Sequence, residues 1–327
     1  MSSDSSCLIG FDLGGTKMLA SVYDSSYQEI GRERRKTKGH EGVERGVKRI
    51  ADTIAKALDG AERDPSQLKG IGIGCPGPVS MDDGVLLEAV NLGWKNVDLR
   101  KELEDRFQCP IEVLNDVDAG LYGEFRFGAA QSAKSALGVF PGTGIGGGFV
   151  YRGEIVHGAQ SSCMEIGHVR VASSGSKCGC GRYGCLETEA SRLAIAGAAA
   201  QAAYRGEAPY LMKKAGTNIS NIRSGVLADS IAAGDTAIEG IVTRAASLIG
   251  VAIGSVMNLI IPETIVLGGG MVEAMPELFV ETVTKSTREH VMPAFADMVH
   301  VQVATLGDDA AVRGAAGWVE SRLPKES

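Results

Sequence analysis

The chain has 327 residues, a length that predicts about two domains. Its 44% hydrophobic and 22% charged residues are typical of a globular protein with a packed core, and its net charge of −7 argues against a protein that wraps nucleic acid or lies on anionic lipid. The longest apolar segment, residues 248–261, is shorter than the about 20 residues that a membrane helix needs. Because residues 1–6 lack the features of a signal peptide, we expect a cytoplasmic protein.

The first sixty residues predict a β-hairpin, a third strand and a helix. Apolar runs at 7–13 and 17–23 flank a glycine-rich break, as the two strands of a hairpin do. Residues 28–37 supply a third strand. Apolar residues then recur at spacings of four and three from Val43 to Leu58, which predicts an amphipathic helix that ends near Gly60.

The middle of the chain continues with alternating strands and helices. Strands are predicted at 70–74, 111–114 and 136–140, and helices at 98–107 and 118–127. The strand at 136–140 runs into a glycine-rich segment, 141–148, before an extended pattern resumes. This repeats the opening order of strand, Gly/Thr turn and strand, which indicates an internal duplication, although local composition could produce the same pattern.

The second half is mainly helical. Helices are predicted at 186–203, 226–233, 236–258, 276–290 and 308–322, with strands at 264–267 and 300–304. Strands that alternate with helices favour an α/β fold. Because no disordered linker separates the halves, we expect two domains that share a cleft.

Two glycine-rich turns have the composition of phosphate-binding turns. The first is Asp12-Leu13-Gly14-Gly15-Thr16-Lys17, and the second runs from Gly142 through Thr143 and Gly144 to Gly148. Without Cβ atoms, the backbone N–H groups of such a turn can converge on an anion. Asp12 could in addition hold Mg²⁺. The alternative is that the first turn is an ordinary hairpin turn, and the spacing is not that of a Walker P-loop.

Asn115 and Asp116 stand between a predicted strand and a predicted helix. A carboxylate at that position can face a cleft and act as a general base. The competing interpretation is that Asp116 or Asp118 only caps the helix, which stabilises it by about 1 kcal/mol.

A cluster of cysteines with one histidine predicts a structural zinc site. His168, Cys178, Cys180 and Cys185 lie within eighteen residues, and Cys₃His is a closed tetrahedral ligand set. The alternative is three reduced thiols in a loop. Glu165, Glu187 and the outward ring nitrogen of the histidine would suit a polyhydroxylated ligand.

Together these motifs resemble the ROK family of repressors and sugar kinases over nearly the whole chain. The segments that carry the resemblance are Asp12–Lys17, Asn115-Asp116, Gly142–Gly148, Glu165-Ile166-Gly167-His168 and Cys178–Glu187. The resemblance implies an α/β, actin/hexokinase-like (ribonuclease H-like) fold of two domains around a central cleft. The implied domains are residues 1–117, completed by the helix at 308–327, and residues 118–307 with the zinc loop.

The resemblance also implies the activity and the roles of residues. The expected reaction is ATP-dependent phosphorylation of the 6-hydroxyl of glucose, with Asp116 as the catalytic base. The expected sugar contacts are Gly77, Asn91, Asn115, Asp116, Glu165, His168 and Glu187. The expected nucleotide and phosphate contacts are Asp12, Gly14, Gly15, Thr16, Lys17, Gly142, Thr143, Gly144, Gly268 and Gly269. ATP, catalytic Mg²⁺ and structural Zn²⁺ are the implied cofactors, and a homodimer or homotetramer is the implied assembly.

Some features depart from the family pattern and leave alternatives open. Val117-Asp118 stand where Ala-Asn is common, and Pro141 stands where leucine is usual. Neither change removes a functional group. The chain could instead phosphorylate N-acetylglucosamine, N-acetylmannosamine or fructose, use polyphosphate as donor, or be a sugar-responsive regulator without catalysis. The position of the first turn at Asp12 leaves no room before it for a helix-turn-helix, which counts against the regulator.

Overall fold

A computed structural model describes residues 5–324. The strands are β1 (Cys7–Leu13), β2 (Lys17–Asp24), β3 (Glu29–Lys36), β4 (Leu68–Cys75), β5 (Val79–Ser80), β6 (Val85–Ala89), β7 (Trp94–Asp98), β8 (Ile111–Asn115), β9 (Ser135–Pro141), β10 (Ile145–Tyr151), β11 (Glu154–Ile155), β12 (Thr264–Leu267) and β13 (Val301–Val303). The helices are α1 (Val43–Gly60), α2 (Leu99–Phe107), α3 (Asp116–Phe127), α4 (Leu186–Ala190), α5 (Arg192–Tyr204), α6 (Pro209–Ala215), α7 (Ser224–Ala232), α8 (Thr236–Ile260), α9 (Gly270–Ala274), α10 (Pro276–His290) and α11 (Ala310–Arg322).

The contacts divide the described chain into two compact units. The first contains residues 5–132, 149–163 and 306–324, and the second contains 133–148 and 164–305. These bounds differ from the predicted domains, which are 1–117 with the helix at 308–327, and 118–307. The main differences are residues 118–132, which include α3 packed on α11, and residues 149–163, both of which belong to the first unit.

The first sheet has the strand order β3-β2-β1-β4-β8. Strands β1, β2 and β3 are antiparallel, so the predicted hairpin and third strand are confirmed. Strands β1, β4 and β8 are parallel to one another. Because the carboxyl ends of parallel strands meet at one edge of a sheet, the residues that follow β1, β4 and β8 lie together.

Glycines let α11 approach the first sheet closely. A Cβ atom on Gly10 of β1 would lie 1.7 Å from the backbone oxygen of Val312, and one on Gly72 of β4 would lie 1.9 Å from that of Ala315. Any larger residue would push the helix off the sheet, because interiors are packed without spare room.

The second sheet repeats the order of the first. Its strands run β11-β10-β9-β12-β13, so each strand has a counterpart in the first sheet. β9, β12 and β13 are parallel, and β10 and β11 are antiparallel, as are their counterparts. The shared topology supports the internal duplication that the two Gly/Thr turns indicated.

Helix α8 is the core helix of the second unit. By length and composition it could cross a membrane, with a mean hydropathy of 1.6 over its most apolar window, but 56% of that window is buried. It packs against α4, α5, α7 and α10. These contacts account for its apolar composition, since a helix surrounded by others is apolar on most faces.

Two features of the fold differ from the prediction. The helix predicted at 186–203 is two helices, because Ser191 leaves the helical conformation and its hydroxyl accepts a hydrogen bond from the N–H of Ala194 at 3.2 Å, as an N-cap of α5. The small sheet β5-β6-β7 was not predicted. Its strands are short and are separated by turns at Gly84 and Gly93, both with positive φ, so no periodic pattern develops.

Candidate functional site

Carboxylates gather at the carboxyl edge of the first sheet. Asp12 lies near the end of β1 and Asp116 directly follows β8. Burial, together with the negative charges of Asp116 and Asp308, raises the pKa of Asp12 to about 7, against a smaller lowering by Arg34. A group of carboxylates that repel one another favours a cation between them or beside them.

Asn115 is the N-cap of α3, and Asp116 also accepts a hydrogen bond from the N–H of Val117, at 2.9 Å. The side-chain oxygen of Asn115 accepts hydrogen bonds from the N–H groups of Val117 at 2.9 Å and Asp118 at 3.3 Å, so Asn115 is the N-cap of α3. Its amide nitrogen donates to the carbonyl of Gly77 at 3.0 Å. Asp116 therefore stands in the first helical turn of α3.

The first glycine-rich turn lies at the same edge. A Cβ atom on Gly14 would be 2.5 Å from the carbonyl oxygen of Lys17, which leaves room only for glycine. Gly15, Thr16 and Lys17 are exposed. The side chain of Asn91 lies beside this turn, with its Cβ 3.4 Å from where a Cβ of Gly15 would stand. The first unit thus brings together Asp12, its turn, Gly77, Asn91, Asn115 and Asp116.

The second glycine-rich turn is held by α5. The N–H of Gly142 donates to the carbonyl of Gly144 at 2.8 Å, which closes the turn. Arg192 donates twice to it, from its backbone N–H to the carbonyl of Gly142 at 2.9 Å and from Nη2 to the hydroxyl of Thr143 at 2.9 Å. Nothing in the sequence indicates this role for Arg192, because a continuous helix is predicted over 186–203. The break at Ser191 makes Arg192 the first residue of α5, where it meets the turn.

Gly268 and Gly269 lie next to this turn in the second unit. A Cβ on Gly268 would lie 2.6 Å from the ring of Phe140, and one on Gly269 would lie 3.0 Å from the carbonyl oxygen of Pro141. Gly269 has a φ of 87°, which glycine adopts without strain. The predicted nucleotide contacts of the second unit therefore occupy neighbouring stretches of backbone.

Glu187 contacts the second turn directly. Its Oε2 accepts a hydrogen bond from the N–H of Ile145 at 3.2 Å. A Cβ on Gly144 would lie only 2.2 Å from the same oxygen. Gly144 is therefore the residue that makes room for the Glu187 carboxylate.

The four predicted zinc ligands converge on one point. Their ligand atoms all lie within 4.8 Å of one another. Cys180 Sγ is 3.7 Å from Cys185 Sγ, and Cys178 Sγ is 3.5 Å from His168 Nδ1. Ligands at ordinary zinc distances and tetrahedral angles are about 3.8 Å apart for two sulfurs and about 3.5 Å apart for sulfur and nitrogen. The residues therefore fit a zinc ion.

The segment that precedes the cysteines brings the histidine to the second turn. Glu165 is exposed and leads into a short 3₁₀ turn, Ile166–His168. A Cβ on Gly167 would lie 2.2 Å from the carbonyl oxygen of Ile145, so this turn packs tightly on β10. Glu165, His168 and Glu187 are thereby positioned around the start of one strand.

Comparison with known proteins gives matches along nearly the whole chain. The ROK family profile matches residues 8–322. A glucokinase of Halalkalibacterium halodurans is 34% identical over 321 residues, which cover 95% of this chain and 94% of that protein. A xylose repressor of Caldicellulosiruptor bescii is 27% identical over 324 residues, which cover 99% of this chain and 80% of the repressor.

A solved structure gives the same relationship. The crystal structure of a ROK family glucokinase from Streptomyces griseus, in complex with glucose and AMPPNP, matches with a TM-score of 0.81 at 29% identity, covering 96% of this chain and 99% of that one. The predicted actin/hexokinase-like α/β fold is confirmed. The predicted family is confirmed as well, and the chain belongs to the ROK family.

Proposed function

We propose that the protein is an ATP-dependent sugar kinase that phosphorylates the 6-hydroxyl of glucose. The observation that carries this proposal is the placement of Asp116, at the start of α3 and beside Asp12, at the sheet edge that also holds a glycine-rich turn. Its similarity to glucokinases along nearly its whole length favours glucose as the acceptor.

Asp116 is proposed as the general base. Its carboxylate takes the proton of the sugar 6-hydroxyl while that oxygen forms a bond to the γ-phosphorus of ATP. The bond between that phosphorus and the bridging oxygen to the β-phosphate breaks, and ADP leaves. The resemblance to the family implies Mg²⁺ as the counter-ion of the nucleotide. Asp12 would hold this ion, which would neutralise charge on the transferred group.

The remaining predicted residues are proposed as binding groups. The backbone N–H groups of the two glycine-rich turns and the side chain of Lys17 would face the phosphates of ATP. Gly268 and Gly269 would lie beside the adenosine. The sugar hydroxyls would be bound by Gly77, Asn91, Asn115, Glu165, His168 and Glu187. One amide hydrogen of Asn115 remains for this purpose after its bond to Gly77, because an amide nitrogen has two.

We propose structural zinc at the cysteine cluster. The ring nitrogen of His168 that faces Cys178 is Nδ1, so a metal there leaves Nε2–H to donate to a sugar hydroxyl. With four protein ligands the ion would have no open position, and it would order the loop that carries Glu187 without taking part in phosphoryl transfer. A cytoplasmic location and a homodimer or homotetramer complete the proposal.

The xylose repressor among the relatives keeps a second candidate open, a sugar-responsive regulator. One experiment separates the possibilities. Purified protein is assayed for ADP release with ATP and a panel of glucose, fructose, N-acetylglucosamine and N-acetylmannosamine, with polyphosphate as a second donor read by sugar phosphate formation. The proposal expects the highest kcat/KM for glucose with ATP. A higher kcat/KM for another sugar would make the protein a kinase of that sugar instead of glucose. No turnover with any sugar and either donor would favour the regulator.

A further inference from the structure

A short segment, residues 37–41, contacts both the first glycine-rich turn and the loop that carries Asn91. It follows β3 and contains none of the residues proposed to contact sugar or nucleotide. Thr37 is fully buried, and it lies opposite the turn because β3 pairs with β2 up to Lys36.

Thr37 holds the turn at two points. Its hydroxyl donates to the carbonyl of Gly14 at 2.6 Å, and its backbone N–H donates to the carbonyl of Thr16 at 2.9 Å. Both acceptors belong to the turn whose N–H groups are proposed to face phosphate. When a carbonyl is fixed on one side of a peptide unit, the N–H on the other side is oriented too, because the unit is planar.

Thr37 is itself held from behind. Arg49 of α1 donates from Nη1 to the carbonyl of Thr37 at 2.8 Å and from Nη2 to Glu41 at 2.5 Å. The guanidinium therefore ties the two ends of the segment together, in the fork geometry that arginine offers.

The same segment contacts the Asn91 loop. The indole N–H of the buried Trp94 donates to the carbonyl of Gly39 at 3.2 Å. A Cβ on Gly39 would lie 2.7 Å from the side chain of Leu92, so the segment and the loop are in close contact. Asn91 in turn lies against Gly15.

We propose that residues 37–41 are a positioning strap, which fixes the nucleotide-binding turn and the Asn91 loop in one geometry, and that Thr37 is the residue through which it holds the turn. This rests on the proposed kinase function. Thr37 touches no substrate in this proposal; it acts through the orientation of the Gly14–Thr16 backbone.

The test compares three variants. Thr37→Val removes the hydroxyl at nearly unchanged volume, and Thr37→Ser keeps it. Thr53→Val is the matched control, because Thr53 is also fully buried in the first unit and its hydroxyl donates to a backbone carbonyl, that of Arg49, at 2.7 Å. For each variant we would measure kcat, the KM values for ATP and for glucose, the Kd of ADP by calorimetry, and unfolding in urea.

We expect Thr37→Val to raise the KM for ATP and the Kd of ADP about tenfold, since a small misplacement of binding groups is costly, with Thr37→Ser close to the unaltered protein. Thr53→Val should keep both nucleotide constants within about twofold, because its hydroxyl donates to the helix carbonyl of Arg49 and not to the turn. Nucleotide constants that change equally in Thr37→Val and Thr53→Val, or no recovery in Thr37→Ser, would overturn the strap and leave the kinase in place. If the unaltered protein binds no ADP, both proposals fail.

Discussion

Replacing Gly144 by alanine gives a sharp test of the role proposed for Glu187. The added Cβ would stand 2.2 Å from Glu187 Oε2, a distance that carbon and oxygen do not reach without a bond. The carboxylate must therefore move by about 1 Å to restore van der Waals contact. That movement breaks its hydrogen bond from the N–H of Ile145.

Two effects follow from this displacement. The buried N–H of Ile145 loses its acceptor, which costs about 1–3 kcal/mol in the free energy of unfolding. If Glu187 binds a sugar hydroxyl, a misplacement of about 1 Å lowers kcat/KM for glucose about a hundredfold, or about 2.7 kcal/mol.

The assay is steady-state ADP release at varied glucose, with glucose binding followed separately by calorimetry. Gly142→Ala is the matched control, because its Cβ would meet nothing nearer than 3.9 Å and it lies in the same turn. We expect glucose KM to rise in Gly144→Ala and to stay near the unaltered value in Gly142→Ala, whatever happens to the KM for ATP. A glucose KM in Gly144→Ala equal to that of the unaltered protein would refute the assignment of Glu187 to the sugar.

Three further predictions follow from the site. Asp116→Asn should lower kcat by about 10²- to 10⁴-fold while the Kd of glucose, measured by calorimetry, changes little; a kcat within tenfold of the unaltered protein would remove it as the base. Metal analysis should find about one zinc per chain, and Cys180→Ser should lower both zinc content and thermal stability; full-length active protein without zinc would contradict the site. The pKa of Asp12 is raised to about 7, so the folded state binds more protons than the unfolded state between about pH 4 and pH 7, and stability falls as pH rises through that window. Asp12→Asn should remove this part of the pH dependence of urea unfolding, and an unchanged slope would contradict the raised pKa.

The elements that the sequence predicts well are those whose own residues carry a local signal. The amphipathic α1 follows from its apolar spacing and the buried β12 from a short apolar run that ends in glycines, and the predicted bounds of β12 and α10 agree with the structure. The break at Ser191 and the sheet β5-β6-β7 depend on a single cap and on positive-φ turns, which interrupt a pattern without replacing it by another.

The sequence indicates candidate site residues where they stand close together in the chain. It does not indicate those that only the pairing of strands brings together. Asp116 and the four residues proposed to bind zinc could be picked out because their residue types stand close together in the chain. Thr37 is 21 residues after Thr16, and only the pairing of β2 with β3 brings them opposite each other. A shift of one residue in that pairing would turn the Thr37 side chain to the other face of the sheet, so its role is not readable without the register.

The two glycine-rich turns show why the internal repeat is visible in the sequence at so few places. Both turns follow the first strand of a sheet with the same strand order, yet they are braced differently, the first by Thr37 after the third strand and the second by Arg192 of α5. At both turns a Cβ would collide with a neighbour, the carbonyl oxygen of Lys17 at Gly14 and the Glu187 carboxylate at Gly144. Because each collision restricts its position to glycine while a brace can come from many side chains, the glycines are the part of the repeated topology that can be recognised in the sequence.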